Sequence, residues 1–160
     1  RVVSATNVTI PAIYNYSYKT TGVNSTTLTS YINVPGLTTV SLPVGLYRFK
    51  FIGAAQSTST SNGIGVKLSA TTATISTVYG KYWITQSIPG TTADYQYDQI
   101  SSNTNISSTS TASTSYPFVI MGEGVVRITS PGTLSLQFKA NVSSSAVAIN
   151  ADANLFLELI

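Results

Sequence analysis

The chain of 160 residues contains no histidine and no cysteine. Histidine is the commonest general base near neutral pH, and imidazole and thiolate are the usual ligands of zinc. Their absence removes Ser-His-Asp and Cys-His catalysis, thiolate metal sites and disulfides within this chain, so neither a catalytic set nor a cofactor or metal is expected. Charge is scarce as well: charged residues make up 8% of the chain, far below the usual quarter or so of a globular protein. The net charge of +3 comes from eight scattered bases. No basic patch that would grip a phosphate backbone is visible, so nucleic acid is not an expected partner. No apolar run approaches the roughly 18 residues of a membrane helix, and no segment reads as a signal peptide, so membrane insertion is not expected either. Helical periodicity is nearly missing.

What is present is 42% hydrophobic content, ten tyrosines and abundant valine and isoleucine, a composition that argues for a folded β-protein rather than a disordered one. About three residues in ten are Ser or Thr, so solubility rests on hydroxyls more than on charges. The length fits one domain, 1–160, with a core that needs no staples. A chain beginning at Arg1 is read as a processed form, a fragment or a renumbered product.

Candidate strands, rich in β-branched residues and set off by turn formers, are Val8–Tyr14, Thr26–Asn33, Thr38–Leu42, Leu46–Ala54, Ile64–Ala70, Thr74–Tyr79, Lys81–Ser87, Phe118–Thr129, Leu134–Asn141, Ala146–Ile149 and Asn154–Leu159. Turns are expected at Gly22, Pro35-Gly36, Asn62-Gly63, Pro89-Gly90 and Pro131-Gly132. Short, evenly spaced strands of this kind mean a sandwich or a barrel. Between Asp98 and Ser115 the sequence is too polar to reach a core. It is expected to be a long surface loop, serving as a connector or as a recognition loop.

Few groups carry chemistry. Asp94 and Asp98 flank Tyr95-Gln96-Tyr97, and in an extended segment they stand about 13 Å apart on one face, too far for a glycosidase pair. Two carboxylates are also too few oxygens for calcium. Tyr14-Tyr16-Tyr18, Tyr79-Tyr82-Trp83 and Tyr95-Tyr97 place amphipathic rings on extended segments, where they serve either as packing and interface residues or as platforms for sugars. Tyr79, Tyr82, Trp83, Tyr95 and Tyr97 are thus the candidate glycan contacts. The five Asn-x-Ser/Thr sites, at Asn7, Asn15, Asn24, Asn105 and Asn141, barely exceed the number expected by chance in so Ser/Thr-rich a chain.

The most informative stretch is Val40–Ala55, VSLPVGLYRFKFIGAA, with Tyr47, Phe49 and Phe51 on one face of a strand and Arg48 and Lys50 on the other. Further on, GVVRITSPGTLSLQF reads as two strands joined by a tight connection at Pro131-Gly132. The chain closes on Asn154-Leu155-Phe156-Leu157-Glu158-Leu159-Ile160. Gly45–Phe51 after Pro43 resembles the PGLYYFTY-type strand of the C1q/TNF-like jelly roll. The spacing from Val126 through Gly132 to Leu136-Gln137 resembles that family's later strand pair, and the closing segment is similar to its last strand. The Ser/Thr-rich C-terminal part resembles the versions found on bacteriophage tail fibres and virion decoration proteins.

The resemblance implies an all-β, antiparallel jelly-roll β-sandwich of about ten strands that assembles as a homotrimer. It implies a last strand lying between the first strand and the GLYRFKF strand, with both faces buried, one in the core and one at the threefold axis. Leu155, Leu157 and Leu159 form one face and Phe156, Glu158 and Ile160 the other, both largely apolar. The alternative is a two-sided core strand of a monomeric sandwich. Arg48, Lys50, Phe156, Glu158 and Ile160 are the expected trimer-interface residues, with Glu158 paired to Arg48 or Lys50 within one subunit or across the interface. The implied function is non-enzymatic: a virion surface protein, either capsid decoration or fibre head. Its partners would be itself, other capsid or tail proteins and a host cell-surface glycan, with residues 1–30 as an attachment segment. The alternative function is a secreted or phage-borne carbohydrate-binding module or C1q-like ligand.

Overall fold

A computed structural model describes residues 15–22, 24–86, 94–101, 106–107 and 117–160; at 15, 24, 84–86, 94–101 and 106–107 it describes the backbone alone. These residues form twelve strands and no helix. In chain order they are β1 (Asn15–Lys19), β2 (Asn24–Thr26), β3 (Ile32–Thr38), β4 (Gly45–Ser57), β5 (Ile64–Ala70), β6 (Thr74–Gln86), β7 (Asp94–Ser101), β8 (Ile106–Ser107), β9 (Phe118–Ser130), β10 (Leu134–Ala140), β11 (Val147–Ile149) and β12 (Asn154–Leu159). They pair into two antiparallel sheets. The larger runs β1-β12-β4-β9-β6-β7, with β11 attached to β4 and β2, and the smaller runs β3-β10-β5-β8. One core, filled from both sheets, lies between them, the arrangement of a β-sandwich.

Alternation along β4 decides which way this core faces. Tyr47, Phe49 and Phe51 are 0%, 0% and 1% exposed, while Arg48 and Lys50 between them stand in solvent. Across the core stand Val66 and Leu68 of β5 with Leu134, Leu136 and Phe138 of β10, all buried. The large rings fit because β9 gives them room. Phe51 is in register with Gly122, and a Cβ at Gly122 would come within 2.5 Å of Phe51 Cε1 and 2.7 Å of Tyr82 Cδ1. The glycine is therefore a slot over which two aromatic side chains close, their centroids 5.1 Å apart.

Several expectations change. The strand expected at Thr26–Asn33 and the turn at Pro35-Gly36 give way to β3, which runs straight through that dipeptide. β3 is an edge strand, where a proline without an N–H is tolerated, and Gly36 at φ +81° takes up the irregularity seen as a register shift against β10. Thr38–Leu42 is not a continuous strand; past Thr38 only Leu42 bridges, to Gly132. The strands expected at Thr74–Tyr79 and Lys81–Ser87 merge into one, β6, which runs through Gly80, paired with Gly124, as far as Gln86; Ser87 lies outside the described residues. Pro131-Gly132 does not close a hairpin, because β9 and β10 belong to different sheets and this dipeptide carries the chain between them.

Part of the expected surface loop is strand, since 98–101 lie in β7 and Ile106–Ser107 pair with β5. The expected attachment segment also divides. Asn15–Lys19 and Asn24–Thr26 pair within the larger sheet, whereas 1–14, including the Val8–Tyr14 strand, fall outside the described residues, as does the Pro89-Gly90 turn.

Candidate functional site

The closing strand fixes the geometry of the outer face. β12 hydrogen-bonds to β1 on one side and to β4 on the other, with Glu158 opposite Arg48 and Phe156 opposite Lys50. Leu155 and Leu157 point into the core at 0% and 2% exposure. Phe156 and Ile160 on the opposite face are 41% and 53% exposed. A strand with one apolar face in the core and a second in water has an unmet tendency to bury the latter.

The five expected interface residues are therefore together on the solvent side of the larger sheet. Arg48 Nη1 donates to Glu158 Oε2 at 3.1 Å, within the chain. Both side chains are well exposed, at 65% and 39%, so the pair contributes little to the stability of the isolated fold. Beside it, Tyr16, Ser17, Lys50 and Phe156 rim a depression of about 290 Å³ floored by Phe49 and Leu157.

Registers on β9 and β6 extend this face in rows. Arg48, Val125 and Tyr79 make one row; Lys50, Glu123 and Lys81 a second; Ile52, Met121 and Trp83 a third. Ile52, Tyr79, Val119, Phe156 and Ile160 all lie here, and they account for most of the large hydrophobic side chains that are exposed among the described residues. Lys50 and Glu123 face each other in register but form no ion pair. Sequence reasoning missed Glu123, Val125, Ile52 and Met121 as members of this face. The alternation Gly122-Glu123-Gly124-Val125 held the signal, but only the pairing of β9 with β4 shows which side it serves.

The tyrosine clusters separate. Tyr79 is 56% exposed, and Trp83 is half-buried on the same face. Tyr82 is no glycan contact: it is 2% exposed and its ring packs on Phe49 and Phe51, because strand alternation sends it inward. Burial raises its phenol pKa, while a hydrogen bond with the Leu68 backbone pulls the other way. Tyr95 and Tyr97 lie in β7 opposite Thr85 and Trp83, with their side chains outside the described set. Next to Tyr79, a second depression of about 500 Å³ is lined by Arg48, Lys81, Glu123 and Val125.

Among the described residues no group of three acid, histidine or cysteine side chains is placed to hold a metal ion, and no helix is long and apolar enough to cross a membrane. Fold and face together define an all-β protein that presents a broad sheet surface of mixed apolar and charged character. No protein-family model and no curated protein matches the chain.

Proposed function

We propose that this chain is a non-enzymatic, homotrimeric surface protein of a virion, a capsid decoration or fibre head with a C1q/TNF-like jelly-roll topology. In this reading the outer face of β1, β12, β4, β9 and β6 surrounds the threefold axis. The observation that carries it is the concentration of exposed apolar side chains, Phe156 and Ile160 above all, on one sheet face. Fully burying a phenylalanine side chain contributes about 1.5–3 kcal/mol; Phe156 is 41% exposed, so covering it gains a part of this in each of three subunits. The Arg48–Glu158 pair and the unpaired Lys50 and Glu123 would then set which surfaces meet, since charged groups in an interface favour one register over others. The virion setting rests on the resemblance of the GLYRFKF and closing segments. Co-sedimentation tests it: the protein should bind its own virus's capsids or tails saturably, in multiples of three. Absence of binding to either would refute it.

A second reading, a carbohydrate-binding module, is favoured by the depression beside Tyr79, where an exposed ring stands among Arg48, Lys81 and Glu123. It predicts that Trp83 fluorescence responds to host polysaccharide in a single subunit.

A further inference from the structure

The outer face of the smaller sheet carries a separate cluster. Tyr31, just before β3, is approached by two ammonium groups: Lys67 Nζ lies 4.6 Å from the ring centroid and Lys139 Nζ 5.3 Å. The lysines come from neighbouring strands, Lys67 of β5 and Lys139 of β10, and Lys139 is in register with Gly65. That glycine permits the approach, because a Cβ there would stand 2.8 Å from Tyr31 Oη and 2.8 Å from Lys139 Cε. The phenol oxygen is buried and has no hydrogen-bond partner. Burial also pushes the Tyr31 pKa up to about 12, so the hydroxyl stays a donor at every physiological pH.

Among the described side chains none neutralises this cluster. Of the five acids, Asp152 pairs with Lys19 and Glu158 with Arg48. Glu123 sits on the outer face of the other sheet, and Asp94 and Asp98 belong to β7 at that sheet's far edge. Two like charges converge on one ring whose quadrupole only partly offsets their repulsion, next to a donor with nothing to donate to. Alongside, Gln137 Nε2 donates to Asn33 Oδ1 at 2.8 Å, which leaves Gln137 Oε1 and Asn33 Nδ2 for sugar hydroxyls. All these groups lie on one face of β3, β10 and β5.

We propose that Tyr31, Lys67 and Lys139 form a site for an oxyanion, a carboxylate or sulfate borne by an acidic saccharide. The anion draws the two ammonium groups off the ring, and the Tyr31 hydroxyl, closed from solvent beside the Lys139 stem, donates to it once that stem moves aside. The site is independent of the assembly reading, because it uses the opposite surface of the sandwich.

The test is a titration of the full chain at constant ionic strength with a glucuronate oligosaccharide, a sulfated oligosaccharide, inorganic sulfate and a neutral glucose oligosaccharide. Binding is read by calorimetry and by NMR shifts of the Gly65 and Lys139 amides. At least one acidic saccharide should bind saturably and the neutral one should not; which of the two binds identifies the anion. Lys67→Gln with Lys139→Gln should lower that affinity tenfold or more. Tyr31→Phe, which keeps the ring and loses the donor, should lower it several-fold without lowering the thermal midpoint, and it serves alone if the double variant does not fold. Equal binding of the neutral sugar, binding of inorganic sulfate alone, or affinity unchanged by these substitutions would overturn the assignment.

Discussion

Gly122 and Phe51 offer a sharp test of the core, because the structure places the ring over the glycine. Gly122→Ala puts a methyl group 2.5 Å from Phe51 Cε1 and 2.7 Å from Tyr82 Cδ1, and both rings are buried and cannot swing away. Overpacking of this kind costs about 1–3 kcal/mol. Phe51→Ala, at 1% exposure, removes a full ring from the core and costs about 3–5 kcal/mol. In the double variant the new methyl group occupies space the ring has left, so its clash with Phe51 disappears while that with Tyr82 remains. Relief is thus partial, and the two losses should fall short of their sum by about 1–2 kcal/mol. Urea unfolding of the four proteins measures this, provided the slope of stability against urea stays constant. Additivity within about 0.5 kcal/mol would mean that the ring does not lie over Gly122 and that the β4–β9 register is wrong.

Other outcomes follow from single groups. Asn62 is fully buried; its Oδ1 accepts from the Asn141 and Val142 amides at 3.1 and 2.8 Å and its Nδ2 donates to the Ser145 carbonyl at 2.7 Å. Asn62→Ala should therefore cost about 2–4 kcal/mol in urea unfolding, since several polar groups lose their partners together. Glu158→Gln should change unfolding of the isolated chain by less than about 1 kcal/mol yet weaken self-association, and adding Arg48→Met should restore part of it, as sedimentation equilibrium would show. Tyr31 and Tyr82 hold their protons more tightly in the fold than in the unfolded chain, whose tyrosines titrate near 10. For Tyr31 the contribution to stability is complete below pH 10 and is lost as pH rises from 10 through about 12, and for Tyr82, the more deeply buried, the loss runs to still higher pH; Tyr31→Phe and Tyr82→Phe should each flatten the slope in pH-dependent melting.

Of the larger sheet's central strands, β4 was legible in the sequence because it alternates cleanly, with aromatic rings on one face and Arg48 and Lys50 on the other. Tyr47, Phe49 and Phe51 thus appear as core from periodicity alone, whereas a partner for Glu158, Arg48 or Lys50, followed from the strand order that the jelly-roll resemblance implies, and the structure pairs it with Arg48. What was not legible depended on tertiary choice. Pro35-Gly36 has the local chemistry of a turn, and only the edge position of β3 lets a strand pass through it. Pro131-Gly132 looks like a hairpin, yet the chain crosses to the other sheet there. Gly80 looks like a break, whereas its pairing with Gly124 keeps β6 continuous. The Tyr31 cluster was invisible because its members, at positions 31, 65, 67 and 139, meet only through the pairing of β5 with β10.

Sedimentation equilibrium of the wild-type chain beside Phe156→Lys reaches the central claim most directly. Each subunit has a mass of 16.9 kDa, and Phe156 is an exposed apolar ring on the proposed threefold face, opposite Lys50 and away from the core. The wild type should have three times the mass of one chain, and Phe156→Lys should fall to one chain with its melting curve still cooperative. A wild-type mass of one chain at tens of micromolar, or a trimer indifferent to Phe156→Lys, would contradict assembly through this face.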